Sequence, residues 1–95
     1  MAVVSSKGIK KTGNEKMTHA LKTEQIYFQE VANGLKDFEV RKNDRCFLVG
    51  DFIILEEIMP DGKYTGNSLS SKRIKYILKG GDHGIDKKYC ILGLE

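Results

Sequence analysis

The sequence predicts an α+β domain: a small, strongly curved mixed sheet of about five strands, closed as a β-barrel, with one main N-terminal helix packed at the barrel end. Three observations predict it. A single stretch carries helical spacing, and it lies near the start of the chain. Most of the chain beyond that stretch is short apolar or alternating runs, separated by Gly, Pro, Asn and Asp. With 95 residues the chain can fill one compact core and not two. Closing the sheet would bury the runs and limit exposed edges.

The first 16 residues read as a flexible leader, rich in Ser, Lys and Gly with few large apolar side chains after Val4. Whether they are native or an appended stretch is left open by the sequence, and the domain is taken as 17–95. Met17 to Lys22 suits a first strand. Thr23 is a plausible N-cap, with Glu24 in the first turn and a helix running to about Ala32. Tyr27, Phe28, Val31 and Leu35 fall near one face, and Asn33-Gly34 stops the helix.

The remainder reads as strands. Phe38 and Val40 alternate with Glu39 and Arg41, so one pair faces inward and the other away. Asn43-Asp44-Arg45 turns the chain, as does Val49-Gly50-Asp51. Phe52-Ile53-Ile54-Leu55-Glu56-Glu57-Ile58 is a strong strand. Met59-Pro60-Asp61-Gly62-Lys63 is a turn in which proline presets φ and glycine accepts a positive one. Tyr64-Thr65 suits a short returning arm. Ser71 to Leu78 forms a strand, with Ile74, Tyr76 and Leu78 on one face. Residues 79–84 are a glycine-rich loop, and Tyr89 to Leu94 is a final apolar strand.

Charge and cysteines narrow the function. The net charge is +3, but Lys7, Lys10, Lys11 and Lys16 against Glu15 account for all of it. The domain itself is neutral, so it has no global field to draw in a polyanion, and any nucleic-acid binding needs a local patch. No run approaches the ~18 apolar residues of a membrane helix, and the start lacks a secretory signal, so a cytoplasmic protein is expected. Cys46 and Cys90 sit in apolar runs, where cysteine is a small buried hydrophobe. With His19 and His83 they show no metal-ligand spacing, so neither metal nor cofactor is expected, and the chain is expected to be a monomer.

Gly34-Leu35-Lys36-Asp37-Phe38-Glu39-Val40-Arg41 carries the pattern G-x-K-x-x-E-x-R, at the passage from helix to strand. Further stretches stand in order along the chain: His19-Ala20-Leu21-Lys22, Arg41-Lys42-Asn43-Asp44-Arg45, Val49-Gly50-Asp51, Tyr64-Thr65-Gly66 and Ile91-Leu92-Gly93-Leu94-Glu95. In these the chain resembles the ASCH domains of the PUA-like superfamily, over residues 18–95, and among them a subgroup of small uncharacterised proteins. The resemblance implies a PUA-like barrel and a cleft that takes RNA or a nucleotide-like ligand. In chemical terms, Glu39 and Arg41 project from one strand face, and Lys36 can reach it. Arg41 offers a rigid donor fork to a phosphate or base, and Glu39 can accept from an exocyclic amine. Spacing alone favours a weak surface ion pair; the resemblance favours a cleft.

The candidate ligand-binding set is therefore His19, Lys22, Lys36, Glu39, Arg41, Lys42 and Asn43, together with Arg73, Lys75 and Tyr76. In the last group, cations beside an aromatic suit single-stranded RNA, although the same alternation describes a solvated strand face. The alternative is an enzyme. Some ASCH proteins are amidohydrolases of N4-acylated cytidines and others ribonucleases, and Lys36 matches the catalytic lysine of the amidohydrolase type. Glu39 stands where that type has threonine, so the match is incomplete.

Overall fold

The computed structural model describes residues 16–95; the leader expected at the N-terminus lies outside the described residues except for Lys16. Five strands and one helix succeed one another: β1 Thr18–Glu24, α1 Gln25–Ala32, β2 Phe38–Lys42, β3 Phe52–Ile58, β4 Tyr64–Lys79 and β5 Tyr89–Leu94. They form one sheet in the order β1-β3-β4-β5-β2. β1 runs parallel to β3, and the other pairs are antiparallel. The fold is α+β, as the sequence predicts.

The expected barrel closure is corrected. β1 and β2 are the two edges of an open sheet, and among the described residues no backbone ladder joins them. Side chains span the seam instead. Arg41 donates to the Thr23 hydroxyl at 2.8 Å and Arg45 to the Ala20 carbonyl at 2.9 Å. Both acceptors belong to β1, so two guanidinium groups do there what a strand ladder does elsewhere.

The bend that brings the edges together comes from β4. It is 16 residues long and pairs with β3 along its first half and β5 along its second. The arm expected at Tyr64-Thr65 and the strand at Ser71 to Leu78 are one continuous element. Its register slips three times. Between the pairs Glu56–Ser68 and Ile58–Tyr64, Glu57 alone opposes Thr65, Gly66 and Asn67; further shifts fall near Ile54 and Lys75. Extra residues on one strand bend it and increase its twist. Gly66, at φ +97°, supplies a conformation that a side chain would resist.

The helix starts later than expected. Thr23 is still in β1, and Glu24 holds the N-cap position without a side-chain cap. Phe28 and Val31 face the core, whereas Tyr27 is half exposed and Leu35 is 81% exposed, so the apolar face is narrower than its spacing suggests. With α1 over the inner face, the core comprises Leu21, Phe28, Val31, Phe47, Ile53, Leu55, Ile74, Cys90, Leu92 and Leu94. Along β4, Ile74 is buried but Tyr76 is exposed, because the register shift between them breaks the alternation. Cys90 is buried as expected; Cys46 is exposed, at φ +50°, where the chain turns toward Phe47. Among the described residues no helix is long and apolar enough to cross a membrane.

Candidate functional site

The inner face is not apolar throughout. In the parallel register of β1 and β3, His19 pairs with Ile53, Leu21 with Leu55 and Thr23 with Glu57. Each row therefore has a leucine at its centre; the β1 row is polar at both ends, and the β3 row at Glu57 alone. On β2 the alternation leaves the inward pair open, and the structure resolves it: Glu39 is buried and Arg41 largely so, while Phe38 and Val40 are exposed. The charged pair is the inward pair.

The helix exit delivers the third charge. Gly34, at φ +79°, turns the chain away from α1, and the Leu35 and Lys36 amides both donate to the Glu30 carbonyl. Lys36 is thereby held just ahead of β2. Its Nζ donates to Glu39 Oε2 at 2.6 Å and to the Phe38 carbonyl at 2.7 Å. Arg41 Nη2 donates to Glu39 Oε1 at 3.0 Å and also reaches Thr23. The Thr23 hydroxyl in turn donates a hydrogen bond to the Leu21 carbonyl at 3.2 Å. The result is a continuous line of Lys36, Glu39, Arg41 and Thr23, largely withdrawn from water. Two cations share one carboxylate, so the line keeps an excess positive charge.

Lys36 lies at the mouth of this line. Its ammonium sits 5.4 Å from the Tyr27 ring centre and 4.9 Å from that of Phe38, within cation–π range. These residues, with Glu30, Leu35, Glu39 and Val40, line a hollow of about 510 Å³ between α1 and β2. An ammonium has three N–H bonds, and the two acceptors named take two of them.

The other predicted residues disperse. His19 is buried far along β1, where its Nε2 meets Asp51 Oδ2 at 2.9 Å and its ring stands edge-on to Phe47 at 4.7 Å. Asp51 also accepts from the amides of Met17 and Leu48, so the pair clamps β1 to the turn before β3. Lys22 is exposed and sits 5.7 Å from the Tyr64 ring centre. Lys42 and Asn43 are exposed at the end of β2, and the Asn43 amide donates to the Lys88 carbonyl. Arg73 forms a forked pair with Glu95. Lys75 and Tyr76 are exposed, and none of these three lines the hollow. Among the described residues, no group of three His, Cys, Asp or Glu side chains stands close enough to hold a metal ion.

One buried group escaped the sequence reading. Glu57 is 1% exposed and accepts from Thr65 Oγ1 at 2.7 Å and Asn67 Nδ2 at 2.9 Å, both supplied by the bulge of β4. Gln29 of α1 adds a longer contact at 3.5 Å. The Thr65 hydroxyl, then the Asn67 amide, hold its carboxyl below the ordinary 4.5 against the opposing push of burial. Alternation from Ile53 and Leu55 was the available signal, because it makes Glu57 the third inward position of that strand.

A family profile described as Domain of unknown function (DUF3850) matches residues 18–94, and the chain belongs to that family. A search of curated proteins finds no match.

Proposed function

We propose that this member of the DUF3850 family is a binding module that holds RNA or a nucleotide-like ligand at the hollow between α1 and β2. One observation carries the reading: Lys36, Glu39 and Arg41 meet in a hydrogen-bonded line at the edge of a hollow whose walls include Tyr27 and Phe38. Aromatic walls offer a base a stacking surface. The ammonium at the mouth retains a donor for a carbonyl or phosphate oxygen. The excess positive charge is local, which is what an otherwise neutral domain requires. The bent sheet fits a PUA-like fold opened along one seam, and the reading takes the protein as a cytoplasmic monomer that needs no cofactor.

Titration with single-stranded RNA and with nucleotides at two salt concentrations tests it. Binding that weakens with salt, and falls about tenfold or more in Lys36→Ala, supports the proposal. No binding at low salt, or a variant that binds like the wild type, removes it.

A second reading draws on Thr23. It joins the line from β1, so lysine, carboxylate and threonine are assembled by a route other than the expected one. An amidohydrolase or ribonuclease using Lys36 would exploit that set. The binding reading ranks first because Lys36 donates to both a carboxylate and a carbonyl, which ties its nitrogen to the wall of the hollow instead of aiming it at a substrate carbonyl. Incubation with N4-acetylcytidine separates the two: release of cytidine that vanishes in Lys36→Ala would reverse the ranking.

A further inference from the structure

The seam between β1 and β2 contains a second, smaller pocket of about 200 Å³, lined by Leu21, Arg41, Lys42, Asp44, Arg45 and Phe47. Sites for drug-sized molecules begin near ~300 Å³, so this one suits a small ion or one group of a larger ligand. Three of its six lining residues are cations, against the single carboxylate of Asp44. Arg41 is not neutralised by Glu39, because Glu39 is shared with Lys36.

The donors are unevenly used. Both N–H bonds of Arg41 Nη2 are taken, by Thr23 and Glu39. Its Nε is buried and has no acceptor among the described residues. A buried donor without an acceptor carries a desolvation penalty, and here it belongs to a side chain that walls a pocket. Arg45 spends one N–H on the Ala20 carbonyl and keeps the rest of its fork. Lys42 is exposed beside them. Guanidinium forks match tetrahedral oxyanions, and a nearby ammonium adds a point charge.

We propose that this seam pocket is a seat for a phosphate group, held by Arg41, Lys42 and Arg45. The inference goes beyond the hollow and needs no base to be bound there. Glu39 and Arg41 join the two places, so one ligand with a base and a phosphate would engage both. A free phosphate would engage only the seam.

The test tracks the arginine Nε–H signals of the full chain by NMR, at constant ionic strength. Inorganic phosphate should move the Arg41 Nε–H signal saturably, in the low millimolar range, with chloride inert. Lys42→Ala, at an exposed position, should weaken that binding about threefold to tenfold, and Arg41→Lys, which keeps the charge but removes the guanidinium, more than tenfold; both variants are read at the Arg45 Nε–H signal, which phosphate moves together with that of Arg41. A shift that does not saturate, or that both variants reproduce unchanged, would mark an adventitious ion only and overturn the proposal. Uridine and uridine monophosphate distinguish the sources. If the monophosphate moves Arg41 at lower concentration than phosphate does, and Tyr27 and Phe38 respond as well, the seat reads a nucleotide. If phosphate and the monophosphate move Arg41 alike while Tyr27 and Phe38 stay still, the seat stands and the hollow reading falls. Responses at Tyr27 and Phe38 with none at Arg41 keep the hollow and discard the seat.

Discussion

Two of the places where this domain buries titratable side chains treat them differently. The His19–Asp51 pair is enclosed on every side, and Asp51 ties together a side chain and two backbone amides. The Lys36–Glu39–Arg41 line is buried at Glu39 but reaches a hollow at one end and a seam pocket at the other. Enclosure with saturated bonding serves the fold. Burial with donors left over at an opening is what the proposed recognition of a ligand requires.

Substitutions break or sharpen that contrast. Asp51→Ala should have the largest effect, a loss of about 3 kcal/mol by urea denaturation, since it strands two amides and the imidazole. Glu39→Ala should cost about 2 kcal/mol, less than an enclosed partner, because Lys36 and Arg41 can turn toward water in their openings. If the two losses are equal, the contrast fails. Lys36→Ala should change stability by under about 1 kcal/mol while abolishing most ligand binding. Arg73→Ala should be smallest, within about 0.5 kcal/mol, because its pair with Glu95 is exposed.

Glu57 adds a pH dependence to the enclosed side of the comparison. Its folded carboxyl lies below 4.5, so the stability it contributes is full above that value. It is lost as pH falls through the lower folded value. Glu57→Gln should flatten the acid limb of a melting-temperature profile; an unchanged limb would mean that the donors from the β4 bulge do not hold the charge.

Sequence reasoning reached the strand of Phe52 to Ile58, the turn at Pro60 and the final apolar strand, because period-two alternation and turn chemistry are local. It reached Lys36, Glu39 and Arg41 as a group through their spacing and their resemblance to a family pattern. Alternation alone left open which side of β2 faces inward. Phe38 and Val40 are as apolar as any inward pair, and only the helix laid across the inner face, with the seam beside it, makes the polar side the buried one. Asp51 read as a turn residue, and Glu57 only as one position of a strong strand. The length of β4 was hidden by a polar outer face and by bulges that interrupt its alternation. Each of these depends on what lies opposite, which a local pattern does not encode.

The lack of a ladder between β1 and β2 also bears on how the molecule breathes. Where strands share a backbone ladder, they part only as a cooperative unit; where two arginines span the gap, each tie can release by rotation of one side chain. Amide hydrogens of β3, which is paired on both sides, should therefore outlast those of β1 and β2 in deuterated water, and an anion lodged between the edge strands would slow their exchange from outside the ladder.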